Sequence, residues 1–273
     1  MPIFEILCVT MHQKDFSIIK SMNIRSDIIY ANQTDETSYR EHRFEGHTAK
    51  MISTQTRGVG VNRNLALTYA TGEYCLFADD DIIYRDDVEQ SVISEFEAHP
   101  DADVFIFHLE SDDEKRPQRR YAKTRRVAPW DRMPWGGFRV AVRLSSVKKA
   151  NLWFTTLFGG GCIFPSGEDS LWLIDAKRKG LRFYVSDKTI GSISFADSSW
   201  FTGYDAKYFY GRGALCKAAH PIAYPFWNLY FSVRVKGDGS LSFKDKMTLL
   251  KGGNRGYTTL TDFSEYEKVR KDK

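Results

Sequence analysis

"GEYCLFADDDIIYRDD", residues 72–87, carries an apolar run straight into three consecutive carboxylates, Asp79, Asp80 and Asp81, with Asp86 and Asp87 close behind. The apolar part, 73–78, is rich in β-formers and reads as a buried strand with the acidic cluster at its carboxyl end. Like charges crowded at the end of a buried strand repel one another and lose hydration, so a positive partner is required. An acidic helix N-terminus facing water accounts for Asp86 and Asp87, which open "DDVEQSVISEFEAHP". It does not account for Asp79–Asp81, because "CLFA" leads directly into them. A hard, oxygen-only donor set of this kind suits Mn²⁺ or Mg²⁺, with substrate phosphates completing the shell. An EF-hand is excluded, since the stretch has neither the central glycine nor the closing glutamate.

Upstream, "IFEILCVT" (3–10) reads as a buried strand, "DFSIIKSMNI" as a helix and "SDIIYAN" (26–32) as a second strand. Strand, helix, strand opens a parallel sheet with crossover helices. After a polar connection, "RGVGVNRNLALTYATGEY" reads as a helix with Val61, Leu65, Thr68 and Tyr69 on its apolar face. Downstream come a helix with Val88, Val92, Ile93 and Phe96 inward, then the strand "ADVFIFHLE". In open parallel sheets ligands bind beyond the carboxyl ends of strands, so the loops "TMHQKD", "ANQTDE" and "ADDDII" should meet at one crevice. "GFRVAVRL" (137–144) alternates strictly, which predicts a half-exposed strand in an antiparallel part of the sheet.

The chain has 273 residues and a net charge of +4, too mild for a nucleic-acid binder. Cys8, Cys75, Cys162 and Cys216 are far apart, three of them in apolar runs, which predicts reduced core thiols and a reducing compartment. No signal-peptide core and no run of 18 or more apolar residues occurs, so a cytoplasmic location is expected.

Further candidates follow. Arg57 and Arg63 flank a glycine-bearing loop entering a helix, where N–H groups favour anions; the Walker lysine pattern is absent. Glu168 and Asp169 follow the triple glycine and precede Trp172. One of them could take a proton from a substrate hydroxyl with Trp172 as an apolar platform, or both could simply stabilise a helix dipole. "RPQRRYAKTRR" (116–126) holds six basic residues, suited to a diphosphate, to acidic lipid headgroups, to a lipid-linked pyrophosphate, or to plain solvation. Phe243, Met247 and Leu250 share a helical face among lysines, which fits a membrane surface or packing against the protein itself.

Taken in order, "NQTD", "RGVGVNRNLAL", "GEYCLFADDD" and "NLWFTTLFGGGCIFPSGEDSLWL" resemble family 2 glycosyltransferases, nearest to those of bacterial surface-polysaccharide synthesis, capsule included, over residues 3–215. The resemblance implies a GT-A type, Rossmann-like α/β fold with a mixed, mainly parallel sheet, flanked by helices and followed by a C-terminal helical extension. It implies a nucleotide-sugar-binding half over 1–110, an acceptor-binding half over 111–215 and an extension over 216–273. Asp79 and Asp81 match the D-x-D element for the metal and the donor diphosphate, with Asp80 between them. Arg63 matches an arginine facing the nucleotide, Thr10 a position beside the base, and Asp169 the catalytic base, with Glu168 adjacent. Arg57 joins the donor side, and Asn32 and Asp35 stand where many relatives place an acid against uracil. Gly160, Gly161, Trp172 and Trp200 fall on the acceptor side. Many relatives also use a late metal histidine; "SISFADSSWFTGYDAKYFYGRGAL" has none, which leaves the aspartates as the metal site. The implied reaction is an inverting, metal-dependent transfer from a nucleotide sugar, UDP-linked by preference, to a saccharide or lipid-linked saccharide acceptor, with peripheral contact at the inner face of the cell membrane as a further expectation. A sugar nucleotidyltransferase would want a glycine- and lysine-rich loop after the first strand, and "CVTMHQKD" lacks the glycines. A binding module that has lost catalysis is the other alternative.

Overall fold

Strand β1 (Phe4–Met11) is buried at every position but the last. It lies between β2 (Asp27–Gln33) and β5 (Tyr74–Asp79), parallel to both. A strand covered on both faces carries apolar residues on both, which is why the run Ile6–Val9 shows no alternation. The computed structural model of the chain describes residues 4–111, 120–128, 131, 139–193, 203–237, 239 and 241–271. These residues cluster into two compact units, one of residues 1–154 and 172–198 and the other of 155–171 and 199–273.

The first unit is built on one mixed sheet. β4 (His47–Thr54) pairs parallel with β2, and β3 (Ser38–Phe44) pairs antiparallel with β4 at the edge. On the other side of β5 come β9 (Val140–Arg143), β7 (Val104–Ser111), β10 (Phe183–Ile193) and β6 (Ile82–Tyr84), with the short β8 (Arg125–Arg126) also on β10. β4, β2, β1, β5, β7 and β10 run one way; β3, β9, β6 and β8 run the other. Alternate side chains of the central strands feed two apolar layers. Phe4, Ile6, Cys8, Ile28 and Leu76 lie in one, and Leu7, Ile29, Cys75 and Phe77 in the other. Helices α1 (Ile18–Ser21), α2 (Val59–Tyr69), α3 (Val88–Ala98) and α4 (Leu144–Lys149) connect the strands. This mainly parallel sheet flanked by helices, followed by further helices towards the C-terminus, is the architecture the sequence implied. The four cysteines form no disulfide.

Three local expectations are corrected. The polar connection before α2 is a β3–β4 hairpin closed by Glu45 and Gly46, both at positive φ (46° and 88°). That geometry belongs to a two-residue type I′ turn, and Glu-Gly is not the usual Asn-Gly or Asp-Gly signal for it. β9 is not half-exposed: it sits between β5 and β7 with Val140, Ala141 and Val142 all buried. In α2 the inward face is Asn62, Arg63, Ala66 and Leu67, while Thr68 and Tyr69 are exposed.

The second unit contains the loop 155–167, the first turn of α5 (Glu168–Arg178), and helices α6 (Ala206–Ala219), α7 (Tyr224–Arg234), α8 (Phe243–Thr259) and α9 (Phe263–Lys271). α6 and α8 meet at glycines. A methyl group on Gly213 would stand 2.1 Å from the Leu250 carbonyl oxygen, and one on Gly253 would stand 1.9 Å from that of Tyr210. Backbone-to-backbone contact of this closeness admits no side chain.

The start of β5, and so the height of the acidic turn at its end, is set by one buried carboxylate. Glu5 is 1% exposed and accepts hydrogen bonds from the backbone N–H groups of Thr71 and Gly72, each 2.7 Å, and from the Thr71 hydroxyl. Glu5→Ala strands these donors, and urea unfolding should show a loss of about 2–4 kcal/mol. A loss within about 0.5 kcal/mol would mean that water replaces the carboxylate there.

Candidate active site

Because β4, β2, β1 and β5 run in parallel, their carboxyl ends form one edge, and the polar residues that end them lie side by side. Thr10 pairs with Asn32, Val9 with Asp79, and Asn32 and Gln33 with Ser53 and Thr54. The edge is braced by side-chain amides. Asn32 is fully buried; its Nδ2 donates to the Gln13 carbonyl at 2.9 Å and to Ser53 Oγ at 3.0 Å, and its Oδ1 accepts from the Gln13 N–H. Gln33 Oε1 accepts from the Gly58 N–H at 2.9 Å, tying the start of α2 to the end of β2. Asn62 Nδ2 donates to the carbonyls of Ala31 and Thr10. Asn32 therefore holds the loop after β1 in place, with its amide engaged on three sides. Asp35 stands farther out, in an ion pair of 2.6 Å with Arg57, whose guanidinium also reaches the Thr34 carbonyl. The two join the loops after β2 and β4 at the solvent-facing rim.

The acidic turn follows β5. Arg63, 2% exposed at its side chain, donates to Asp79 Oδ1 at 2.9 Å and lies 5.5 Å from the centre of the Phe154 ring. Thr10 Oγ1 donates to Asp80 Oδ2 at 2.5 Å. Asp81 completes the turn at the surface, where partial desolvation, then the charges of Asp79 and Asp80, push its carboxyl up to about 6. The floor beneath stays neutral. Burial is the first cause raising the Cys8 thiol and the Tyr30 and Tyr84 phenols, and nearby aspartates reinforce it. The positive partner demanded by the sequence is thus in part internal. Among the described residues Arg63 is the arginine paired with the turn, through Asp79.

No group of three acidic, cysteine or histidine side chains among the described residues forms a ready-made metal cage. The turn does fit a hard divalent cation whose shell is shared with phosphate oxygens, since its donors are carboxylates and that of Asp81 is raised by desolvation and then by the charges of Asp79 and Asp80.

In the second unit, residues 157–164 make a tight reversal. Phe164 N–H donates to the Leu157 carbonyl and Gly159 N–H to that of Phe164, and the Phe158 and Phe164 rings are buried 4.8 Å apart. Gly160 and Gly161 are exposed at its tip, Gly161 at φ 77°. Gly167, at φ 123°, then turns the chain into α5; a side chain there would strike Leu215 at 2.7 Å. Glu168 Oε2 accepts from the Gly167 N–H at 3.1 Å, and Asp169 follows in the first helical turn, half-buried. Trp172 is no platform. It is 2% exposed in the core of the first unit, stacked on Phe154 and edge-on to Phe77.

Trp200 and residues 116–119 of the basic run lie outside the described residues. Of the rest of that run, Arg125 and Arg126 form β8, and Arg125 pairs with Asp131 at 2.6 Å. The structure thus groups Thr10, Arg63, Asp79, Asp80 and Asp81 at one strand edge with Asp35 and Arg57 at its rim. Gln13, Gln33, Ser53 and Asn62 belong to the same edge and escaped the sequence reading; polar residues at the ends of apolar strands were the available signal.

Residues 30–155 match the family model described as Glycosyl transferase family 2. No curated protein matches the chain. Among solved structures, S. aureus TarS 1–349 in complex with UDP is 16% identical, with a TM-score of 0.57 over 93% of this chain and 72% of that one. TarS 1–349 in complex with UDP-GlcNAc gives a TM-score of 0.56 over the same shares at the same identity. The longer S. aureus TarS structure gives a TM-score of 0.54 over 93% of this chain and 43% of that one, again at 16% identity. At this identity the likeness establishes the fold.

Crowding at the acidic turn works against stability. In chelator at neutral pH, Asp81→Asn should unfold at a higher temperature than the parent, because a repelled carboxylate is gone; solvent screening holds the gain under about 1 kcal/mol. A lower unfolding temperature would instead make Asp81 a structural acceptor.

Proposed function

We propose that this chain, a family 2 glycosyltransferase through its residues 30–155, transfers a sugar from a nucleotide-diphosphate donor, UDP-linked by preference, to a saccharide or lipid-linked saccharide acceptor with inversion at the anomeric carbon. The observation that carries the reading is the acidic turn at the carboxyl ends of the parallel strands, with one charge of three neutralised from inside by Arg63. A fold shared with a protein that binds UDP and UDP-GlcNAc supports the choice of base.

In this reading the donor occupies the half formed by residues 1–110 and the acceptor engages residues 111–215. Thr10 and the rim pair Asp35–Arg57 face the nucleotide, and Arg63 holds Asp79 in the orientation that receives the donor. Mn²⁺ or Mg²⁺ held by Asp79 and Asp81, with Asp80 alongside, would neutralise the negative charge on the departing diphosphate. Asp169 takes the proton of the attacking acceptor hydroxyl on a carboxylate oxygen, while Glu168, engaged with the Gly167 N–H, fixes the start of α5. The acceptor oxygen forms the new bond to the anomeric carbon as the bond to the diphosphate breaks. Gly160 and Gly161 leave room beside the base for a saccharide ring, having no side chains at the exposed tip.

Thermal unfolding with UDP, GDP, CDP and dTDP, each with Mn²⁺ or chelator, tests the donor site. One nucleotide at about a hundred times its Kd should add roughly 2.7 kcal/mol, lost on chelation and in Asp81→Asn. Stabilisation by none of them would remove the assignment. Asp169→Asn should keep the nucleotide shift and lose about 10²–10⁴-fold in transfer from the matching nucleotide sugar. Turnover unchanged in that variant would take the base role away from Asp169.

A further inference from the structure

Helix α7 is inside out. Its inward positions are polar, with Asn228 and Ser232 at 2% and 3% exposure. Four of its apolar side chains face water, Phe226 at 66%, Leu229 at 49%, Tyr230 at 37% and Val233 at 69%, with Ile222 at 94% just before the helix, while Trp227 and Phe231 are half-buried. Spacings of three and four residues put Phe226, Leu229, Tyr230 and Val233 on one face. An exposed apolar stripe of this kind marks an interaction surface.

Beside the stripe runs a cleft of about 440 Å³, lined by Lys217 of α6, Asn228 of α7, and Lys251, Asn254 and Arg255 of α8 among others, with no carboxylate. Asn228 and Asn254 are at least nine-tenths buried, and the Oδ1 atom of each has no hydrogen-bond partner among the described residues. A half-turn about Cβ–Cγ brings the NH₂ group of either amide to an anion instead. The cationic character is general here: residues 206–237 contain no Asp or Glu, while Lys207, Arg212, Lys217, Arg234 and Lys236 all occur among them.

The geometry points to an anionic phospholipid bilayer as the occupant of this surface: the α7 stripe enters the headgroup–acyl boundary and the cleft receives lipid phosphate. Aliphatic side chains flanked by Tyr224, Trp227 and Tyr230 have the composition of an interfacial helix. Cations around the stripe complement anionic headgroups. A second copy fits poorly, since apposing two such faces would set lysines and arginines against their equals. The membrane face expected on α8 is thereby moved. Leu250 is fully buried and Met247 packs against the core of the unit, so α8 spends most of that face internally and leaves only Phe243 of the three exposed, at 53%. This inference does not depend on the donor, the acceptor or the metal.

Co-sedimentation with vesicles of equal parts phosphatidylglycerol and phosphatidylcholine, against pure phosphatidylcholine, tests it. The protein should bind the anionic vesicles at low salt, bind the neutral ones much less, and be released by salt. Phe226→Ser with Val233→Ser should weaken binding tenfold or more. Lys251→Gln with Arg255→Gln should weaken it about fivefold per charge removed and flatten the salt dependence. None of the four positions belongs to the unit that carries the acidic turn, and circular dichroism establishes that each variant is folded. Absence of binding to anionic vesicles at low salt, or binding unaltered in folded variants, would overturn the proposal. So would sedimentation showing a dimer that Phe226→Ser with Val233→Ser converts to monomer, because the stripe would then be covered by a second copy.

Discussion

The buried ion pair between Arg63 and Asp79 is the constraint around which the first unit is arranged. A guanidinium at 2% exposure is tolerated only with a close anionic partner, and Asp79 is that partner at 2.9 Å. For the pair to form, α2 must turn a polar face inward, which is why Asn62 and Arg63 point to the sheet while Tyr69 points to water. The same rotation delivers Asn62 to the carbonyls of Thr10 and Ala31, so one helix fixes the ends of β1 and β2 together with the turn after β5. Removing one partner of such a pair costs about 3–5 kcal/mol where burial is complete; Asp79 is 32% exposed, so the lower end applies. The arrangement also leaves charge unbalanced. Among the described residues one arginine is paired with the three carboxylates, through Asp79.

The central strands were legible because residues buried on both faces are mostly apolar, and β1, β2, β5 and β7 each carry an unbroken apolar run of at least four residues. What was hidden lay where that rule fails. β3 is an edge strand with Arg40, Glu41, His42 and Arg43 in sequence, and charge at an edge is a guard against aggregation as well as a mark of loops. In α2, Val61 and Leu65 suggested the buried face by hydrophobicity alone, yet electrostatics outweighed it. The stretch 137–144 carries Arg139 and Arg143 among apolar residues, but Arg143 spends its guanidinium on Glu73, over the ring of Tyr74, so that β9 can lie in mid-sheet.

The candidate site divides along the same line. Three aspartates ending an apolar run have few structural explanations, and they were plain in the sequence. Residues whose role depends on distant partners were not. Asn32 reads as a ligand from its place at a strand end, but its amide is committed to Gln13 and Ser53, a loop and a strand that local sequence does not connect to it. Trp172 reads as a platform because it follows an acidic pair, yet helical spacing carries it round to the Phe77 and Phe154 rings. A residue's neighbours in sequence say little about which face of a helix it occupies once the helix packs on one side only.

The inversion of α7 follows from the glycines of its neighbours. Gly213 and Gly253 let α6 and α8 touch backbone to backbone, and Gly256 lies against the Tyr210 side chain in the same seam. Between them and α7 lies a cleft lined by Lys217, Asn228, Lys251, Asn254 and Arg255 among others. α7 turns towards its neighbours the short Asn228 and Ser232, the latter returning its hydroxyl to the Leu229 carbonyl, with Trp227 and Phe231 half-buried. Phe226, Leu229, Tyr230 and Val233 then have no interior to enter. Had α6 and α8 been held apart by ordinary side chains, a helix with this sequence would bury its apolar face between them. Tight glycine packing in one pair of helices is thus what leaves an apolar stripe on the third, among cations and open to a surface of opposite charge.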